Sequence, residues 1–115
     1  MGGLTPRRGE VWYAQFSPVV GHEQAGWRPA LIVSDDLVNL GPGQRVIALP
    51  FTTRDRGNPW HIEVRPPEGG LGRKSFARCE DVRSLSHLRL SDRLGEVSEA
   101  TMAQVEEILR ALLDL

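Results

Sequence analysis

Residues 21–34 have the sequence GHEQAGWRPALIVS, a polar loop that leads directly into an apolar, β-branched run. Pro29 has no N–H to give to a ladder, so it belongs at the start of a strand or at a sheet edge. A residue before proline is held extended, which fixes where the side chain of Arg28 begins. The stretch therefore predicts a buried strand over residues 29–34, with a permanently charged guanidinium at its mouth and His22 in the adjoining loop. Such a site is suited to binding an anion, and phosphate is the obvious one.

The size and composition of the chain are those of one globular domain, which we place at residues 1–115. Of its 115 residues, 40% are apolar and 25% are charged. No apolar run approaches the roughly 20 residues of a membrane-spanning helix, and the first residues lack the apolar segment of a signal peptide. A single cysteine, Cys79, excludes an internal disulfide and is consistent with a reducing cytoplasm.

Charge is distributed unevenly along the chain, although the formal net charge is only −1. Residues 45–89 carry nine cations against five acids, whereas residues 90–115 carry two cations against six acids. The basic middle segment is consistent with an anionic partner, and a solvated surface whose charges happen to segregate is the alternative.

Hydrophobic periodicity predicts strands first and one helix last. Strands are predicted over residues 10–16, 29–34, 44–53, 60–65 and 75–82, with a short helical turn over residues 35–39. Residues 66–74, rich in Gly and Pro, favour a flexible connector. Ser98 is a good N-cap for a terminal helix, whose apolar face contains Met102, Val105, Ile108, Leu109 and Leu112. This order predicts an α+β domain with a small, curled antiparallel sheet.

Two charged side chains stand at alternating positions of the fifth predicted strand. There Arg78 and Glu80 would share one face, while Cys79 would take the other. A carboxylate beside a guanidinium can act as an acid–base pair and charge stabiliser, although an ordinary ion pair within one strand is the alternative. Cys79 is better explained as a small buried side chain than as a nucleophile.

The remaining polar candidates are histidines and threonines. His22 has an unperturbed pKa near neutrality and can serve as a general acid or base, or can simply be solvated. Thr52 and Thr53 end the third predicted strand, where a hydroxyl would point out of the sheet rim, but threonine is common in strands for packing reasons. The other two histidines, His61 and His87, are interpreted as structural. Three histidines and one cysteine show no metal-ligand spacing, so no metal site is indicated.

The three tryptophans lead to different expectations. Trp12 lies in the middle of a predicted strand and is expected in the core. Trp27 and Trp60 lie at junctions between loops and strands. A partly exposed ring at such a junction can stack on a nucleobase or cover a protein interface.

Taken together, three blocks of sequence resemble the MazF/PemK family of toxins. The first block comprises RGEVW at 8–12, SP at 17–18, GHEQ at 21–24 and RPALIVS at 28–34. The second is PFTT at 50–53, and the third is RCE at 78–80 followed by RSL at 83–85. The amphipathic terminal helix also fits, so the resemblance covers about residues 7 to 114.

This resemblance implies the toxin half of a type II toxin–antitoxin pair: a cytoplasmic, ribosome-independent, sequence-specific endoribonuclease that inhibits translation and growth. The implied fold is a small SH3-like antiparallel β-barrel (MazF/Kid/CcdB-like) with short helices. The implied partners are single-stranded RNA, a second copy in a homodimer, and a small acidic MazE-like antitoxin. The implied reaction uses no metal or other cofactor: the 2′-hydroxyl beside the cleaved bond attacks phosphorus and leaves a 2′,3′-cyclic phosphate and a 5′-hydroxyl.

Carried over by position, the resemblance also assigns catalytic roles. Arg28 would stabilise the phosphate and act as an acid, and Thr52 would hydrogen-bond the phosphate. Arg78 and Glu80 correspond to an Arg-x-Asp pair that acts in the Kid branch of the family, with the longer Glu here in place of Asp. His22 corresponds to a Kid-branch histidine. Substrate binding is assigned to Thr53, Gln24, Trp27 and Arg54, with Thr53 as the alternative catalytic threonine.

Two other functions are compatible with the same features. One is a CcdB-like, gyrase-inhibiting toxin, which shares the barrel but needs no constellation of Arg, Thr and Glu. The other is a catalytically silent SH3-like binding module with Trp27 and Trp60 as its contact surface. Cleavage of RNA distinguishes both from the endoribonuclease.

Overall fold

The computed structural model describes residues 5–16 and 26–115, and within these ranges seven strands form one antiparallel sheet. The strands are β1 Glu10–Gln15, β2 Trp27–Ile32, β3 Arg45–Thr52, β4 His61–Val64, β5 Ser75–Arg78, β6 Arg83–Ser86 and β7 Leu90–Glu96. The same described ranges contain two α-helices, α1 Asp36–Asn39 and α2 Glu99–Leu113, and three 3₁₀ turns, Glu68–Gly70, Cys79–Asp81 and His87–Arg89. The predicted α+β class is confirmed. Neither helix of the described ranges is long and apolar enough to cross a membrane.

The sheet has the strand order β4-β5-β3-β2-β1-β7, with β6 also paired to β3. Because β4 and β7 stand at the two ends of this order, the sheet is open within the described ranges. The predicted fold, a small SH3-like antiparallel arrangement of strands with short helices and a C-terminal amphipathic helix, is confirmed, and α2 packs on the sheet. The paired strands bury apolar side chains on both faces, since Val11 of β1 belongs to one core cluster and Trp12 to the other.

The first four predicted strands are confirmed to within a few residues at their ends, and so is the terminal helix. In β2, Ala30, Leu31 and Ile32 are fully buried, as expected for a strand with neighbours on both sides. The hydroxyl of Ser98 caps α2 by accepting a hydrogen bond from the Thr101 N–H at 3.1 Å. The predicted apolar face of α2 packs on the larger core cluster through Met102, Val105, Ile108, Leu109 and Leu112.

Strand β3 changes its pairing partner along its length, and this change leaves the space in which the candidate site lies. Residues 48–50 of β3 pair with β2, the last pair being Pro50 with Ala30. The next residues, Phe51 and Thr52, pair with β5 on the opposite side. Within the described ranges, residues 27–29 of β2 therefore pair with β1 alone. Pro29 lies at a local edge as predicted, and space is left between the start of β2 and the end of β3.

The predicted fifth strand over residues 75–82 is wrong at its second half. Strand β5 ends at Arg78, the 3₁₀ turn Cys79–Asp81 follows, and β6 then resumes pairing with β3. Because β5 pairs with Phe51 and β6 with Ala48, the turn stands beside the middle of β3. Arg78 and Glu80 consequently do not occupy alternating positions of one strand. Strands β6 and β7 were not predicted, since their sequences RSLS and LSDRLGE contain few apolar residues.

The segment over residues 66–74 is also not the flexible connector that its composition favours. Its 3₁₀ turn Glu68–Gly70 packs on β7, and Leu71 is 6% exposed in the larger core cluster. Gly70 has a φ of +67°, and a Cβ at this position would lie 1.8 Å from the Leu94 carbonyl oxygen. The buried side chain of Leu71 and the close backbone contact at Gly70 therefore hold this segment against the sheet.

Candidate active site

A cleft of about 380 Å³ occupies the space where β2 begins and β3 ends, and we call it the first cleft. Strand β2 contributes Arg28 to its wall, and β3 contributes Thr52. The adjoining segments contribute Thr53, Arg54 and Arg73. None of the described residues that line it is acidic, and Arg28, Arg54 and Arg73 bring three guanidinium groups to it. This environment favours the binding of an anion, the ligand that the sequence predicted for the site at Arg28.

Thr52 is oriented by the backbone at the end of β3. Its hydroxyl oxygen accepts a hydrogen bond from the Arg54 N–H at 3.2 Å. A hydroxyl that accepts from the backbone keeps its own proton to donate. Thr53 also lines the first cleft but is more exposed. The geometry thus favours Thr52 over Thr53 as a donor to a bound phosphate.

Arg28 is half-buried and also lines a smaller cleft of about 170 Å³, which we call the second cleft. The described walls of the second cleft are Phe16, Gly26, Arg28, Pro50, Arg78, Asp81 and Arg83. Arg28 therefore stands between the two clefts. The structure thereby brings together Arg28 and Thr52 in the first cleft, and Arg28 and Arg78 in the second.

Arg78 belongs to a charged cluster at the 3₁₀ turn Cys79–Asp81. Its Nη2 lies 3.1 Å from Asp81 Oδ2, and its Nε lies 3.6 Å from Glu80 Oε2. The same Glu80 oxygen lies 2.9 Å from His61 Nε2, and the side chain of His61 is 3% exposed. Glu80 lines neither cleft, whereas Asp81 lines the second. The two carboxylates that contact Arg78 therefore differ in position, because only Asp81 shares a cleft with Arg28.

The ionisation of this cluster follows from its contacts. Burial would raise the pKa of Glu80, but the hydrogen bond from His61, a backbone N–H and the charge of Arg78 hold it below its usual value. Burial and the neighbouring charge of Glu80 raise the pKa of the Cys79 thiol to about 12. Cys79 is fully buried, which confirms its prediction as a packed side chain and makes it unsuited to nucleophilic attack.

Trp27 forms an aromatic pair at the rim of the first cleft. Its ring stacks on Tyr13 with centroids 5.4 Å apart and an interplanar angle of 26°. Trp27 and Trp60 are each 39% exposed and Trp12 is buried, as predicted. Trp60 lines neither cleft. The pair of Trp27 and Tyr13 thus offers a fixed aromatic surface beside the three guanidinium groups.

Some predicted site residues cannot be placed, and some lining residues were not predicted. His22 and Gln24 lie outside the described residues, and their roles stay predictions. Asp81 and Arg83 of the second cleft were not predicted as site residues, and neither was the contact of His61 with Glu80. Arg83 stands in the third block of the family resemblance and in the basic segment over residues 45–89, and these were the signals that could have indicated it. Across residues 5–16 and 26–115, no group of three His, Cys, Asp or Glu side chains is arranged to hold a metal ion.

Comparison with known proteins identifies the family. The sequence model of the family described as PemK-like, MazF-like toxin of type II toxin–antitoxin system matches residues 7–113. Endoribonuclease EndoA of Bacillus subtilis is 34% identical over 110 residues, covering 95% of each chain. A crystal structure of MazF from Deinococcus radiodurans superposes with a TM-score of 0.82 at 31% identity, covering 97% of this chain and 99% of that one.

A second solved structure adds a partner to the comparison. An endoribonuclease in complex with its cognate antitoxin, from a mycobacterial species, has a TM-score of 0.79 at 29% identity and covers 96% of both chains. The family model spans nearly the whole chain, including every described residue of both clefts. By sequence and by fold, this chain belongs to the PemK-like, MazF-like toxin family of type II toxin–antitoxin systems.

Proposed function

We propose that the chain is an endoribonuclease that cleaves single-stranded RNA by attack of the RNA's own 2′-hydroxyl, without a metal. The observation that carries this proposal is that Arg28 of β2 and Thr52 of β3 line the same cleft. None of the described residues in the wall of this cleft is acidic. Relatives of the chain are named endoribonucleases, which supports the same activity. An internal nucleophile needs only alignment, proton transfer and charge stabilisation, all of which side chains can supply.

Binding comes first in this proposal. The scissile phosphate lies in the first cleft, where the guanidinium of Arg28 and the hydroxyl of Thr52 donate to its non-bridging oxygens. Thr53 and Arg54 contact the adjoining nucleotide, and Trp27 stacks on a base. Because three guanidinium groups line the first cleft, a phosphate bound there lies next to opposite charge.

In the chemical step, the 2′-oxygen forms a bond to phosphorus while the bond to the 5′-oxygen breaks. Negative charge grows on the non-bridging oxygens. The N–H donors of Arg28 stabilise this charge because they are in place before the reaction begins. A guanidinium is not deprotonated in proteins, so the acid role of Arg28 is a hydrogen bond to the departing 5′-oxygen, which takes its proton from water. The products are a 2′,3′-cyclic phosphate and a 5′-hydroxyl.

In this proposal a carboxylate of the 3₁₀ turn Cys79–Asp81 takes the proton of the 2′-hydroxyl and then gives it to the hydroxide that is left when water protonates the 5′-oxygen. The family resemblance left that role open between Glu80, beside Arg78, and His22, which lies outside the described residues. The specific observation that favours Asp81 is that it lines the second cleft together with Arg28, whereas Glu80 lines neither cleft. We therefore propose Asp81 as the proton acceptor and Glu80 as a positioning residue that holds Arg78.

The proposal extends to partners and location. Solved relatives include MazF in complex with MazE and an endoribonuclease bound to its cognate antitoxin. We propose the same kind of partner for this chain: a small antitoxin whose acidic segment occupies the basic clefts in place of RNA. A homodimer that binds RNA across its interface, and a cytoplasmic location where mRNA is translated, belong to the same proposal.

The test is incubation of the purified chain with a long mixed-sequence RNA in excess EDTA, without ribosomes, followed by mapping of the ends. Discrete cuts with cyclic-phosphate and 5′-hydroxyl termini are expected, and they would give the recognition sequence at once. Arg28→Ala serves as the control for contaminating nuclease. Intact RNA with folded, antitoxin-free protein would overturn the proposal. Loss of gyrase supercoiling would then identify a gyrase inhibitor, and its absence a silent binding module.

A further inference from the structure

The stacked pair of Trp27 and Tyr13 borders a further cleft of about 400 Å³, which we call the third cleft. Its described lining residues are Tyr13, Trp27, Ser91 and Asp92. We propose that the third cleft holds a nucleobase of the RNA, and that Asp92 selects a base with an exocyclic amino group and rejects uracil. The inference rests on the proposed function, which places a base on Trp27 but names no residue that distinguishes one base from another.

The third cleft adjoins the proposed reaction site through Trp27, which lines both the first and the third cleft. In the proposed function the scissile phosphate lies in the first cleft with Arg28 and Thr52. Because the two clefts share one side chain, a nucleotide next to that phosphate can place its base in the third cleft. The volume of about 400 Å³ lies within the roughly 300–1,000 Å³ that is typical of small-ligand sites.

Two aromatic rings give the third cleft a surface for a planar group. The side chains of Tyr13 and Trp27 are 37% and 39% exposed although they stack on each other. Exposed aromatic rings of this kind stack on the unpaired bases of single-stranded RNA, and every base has a face for such stacking. The rings therefore explain why a base would bind, but they do not explain a choice among bases.

A β-bulge brings polar side chains to these rings. The register of β1 against β7 shifts between Trp12 and Ala14. Two residues of β7, Ser91 and Asp92, consequently stand opposite the single residue Tyr13. The Ser91 hydroxyl donates to the Tyr13 carbonyl oxygen at 3.3 Å and so ties the bulge to β1. Bulges re-aim side chains beside functional sites, and here the exposed Asp92 lines the third cleft.

The carboxylate of Asp92 determines which base is complementary to the third cleft. Asp92 is the one charged residue among those that line this cleft in the described ranges. An ionised carboxylate only accepts hydrogen bonds, so its partner on a base is an N–H donor. Adenine, cytosine and guanine each present such a donor as an exocyclic amino group. Uracil presents carbonyl oxygens on both sides of its one N–H, and these would bring acceptors against an acceptor.

The first measurement compares RNAs that differ by one amino group. Cleavage sites of the wild type, mapped as for the proposed function, are expected to contain an amino-bearing base at one fixed position close to the cut. That nucleotide is then replaced by the analogue that lacks only the amino group: purine riboside for adenosine, inosine for guanosine, or 2-pyrimidinone riboside for cytidine. The kcat/KM of the wild type should fall about 10-fold or more, as for loss of a hydrogen bond to a charged group. In Asp92→Ala the same replacement should leave kcat/KM nearly unchanged.

A second variant should gain a preference. In Asp92→Asn the side chain keeps its size but has one acceptor and an amide donor, which match the N3–H and O4 of uracil. The wild type should cleave RNA with uracil at the selected position about 10-fold or more slowly, and Asp92→Asn should narrow that difference by accepting uracil. A merely structural role for Asp92 would slow cleavage of all sequences alike.

A matched control comes from the same strand. Glu96 is the last residue of β7, is exposed, and lines none of the three clefts. Glu96→Gln removes the same negative charge as Asp92→Asn and should leave the base preference as in the wild type. A shift of preference in both variants would show an effect of net charge and would overturn the assignment to Asp92.

The outcomes separate failure of this subsite from failure of the proposed function. A wild type that cleaves RNA but tolerates uracil at every position near the cut would overturn the subsite alone, and so would an unchanged amino-group effect in folded Asp92→Ala. A wild type that does not cleave is tested by binding to 2′-O-methyl oligocytidylate and oligouridylate. Tighter binding of oligocytidylate, lost in Asp92→Ala, would keep the subsite and overturn only the nuclease. Equal binding of the two would overturn both.

Discussion

The Nε2 of His61 lies 2.9 Å from Oε2 of Glu80, and this contact occupies the carboxylate oxygen that also faces Arg78. The pKa of Glu80 is lowered by these neighbours although burial alone would raise it. The hydrogen bond from His61 and the charge of Arg78 thus favour the ionised form of Glu80. The contact between His61 and Glu80 therefore favours Glu80 as the residue that positions the guanidinium of Arg78.

Neutralising Glu80 and Asp81 of the 3₁₀ turn Cys79–Asp81 one at a time should lower kcat by different amounts. Asp81→Asn is expected to lower kcat by about 10²-fold or more, as for removal of a general base. Glu80→Gln should lower kcat by less, because it removes only a support for Arg78. The measurement is single-turnover cleavage of an RNA containing the mapped site, together with binding of its 2′-O-methyl analogue. A large loss for Glu80→Gln with near wild-type cleavage by Asp81→Asn would return the proton-acceptor role to Glu80.

Removing the guanidinium shared by both clefts should abolish toxicity while leaving the sheet folded. Arg28→Ala is expected to reduce cleavage about 10²- to 10³-fold, the cost of losing one preorganised donor to a developing negative charge. Arg54→Ala, in the same cleft but on the following loop, should mainly raise KM. Cleavage rates and circular dichroism of both variants check this. Near wild-type cleavage by Arg28→Ala would refute the proposed mechanism.

The sequence predicted the parts of the site that depend on local chemistry. Pro29 indicated a sheet edge, and the structure places it where β2 extends beyond its pairing with β3. Apolar periodicity identified the buried run of β2 and the apolar face of α2. These features were predictable because a short window of residues determines each of them. The family resemblance, and no local window, assigned Thr52 and Arg28 to one site, and both line the first cleft.

The parts that were missed depend on long-range pairing. Residues 79–82 have a composition that a strand accepts, and only the pairing of β5 and β6 along β3 shows that they form a turn instead. That turn separates Glu80 from Asp81, so the sequence could not tell which carboxylate faces the second cleft. Arg83 was missed for the same reason, since its contact with Phe16 joins positions 67 residues apart.

Glu68 links the 3₁₀ turn Glu68–Gly70 to the start of α2 and should make stability depend on pH. Its Oε2 accepts from the Ser98 N–H at 2.9 Å and from the Thr101 hydroxyl at 2.6 Å. Burial alone would raise the pKa of Glu68, but these hydrogen bonds lower it below the ordinary value of 4.5. A lowered folded pKa means that the stabilisation is present above the unfolded pKa and is lost as the pH falls through the folded pKa.

Glu68→Gln should therefore reduce the free energy of unfolding by about 1 kcal/mol at neutral pH, the usual effect of losing a helix cap. The difference from the wild type should shrink as the pH falls below about 4. Urea unfolding at several pH values measures it. Glu107→Gln, on the exposed side of α2, is the matched control and should change stability by no more than about 0.5 kcal/mol. A difference that is constant with pH would contradict an ionised cap.

Gly70 should tolerate no side chain, because the backbone of β7 passes directly over it. A Cβ there would lie 1.8 Å from the Leu94 carbonyl oxygen, and the φ of +67° is unfavourable for other residues. Gly70→Ala is expected to cost about 3 kcal/mol of stability through overlap and backbone strain. Gly72→Ala, two residues later, meets nothing within 4 Å and has no positive φ, so it should be nearly neutral. Urea midpoints compare the two, and equal midpoints would show that the turn Glu68–Gly70 does not pack on β7 in this way.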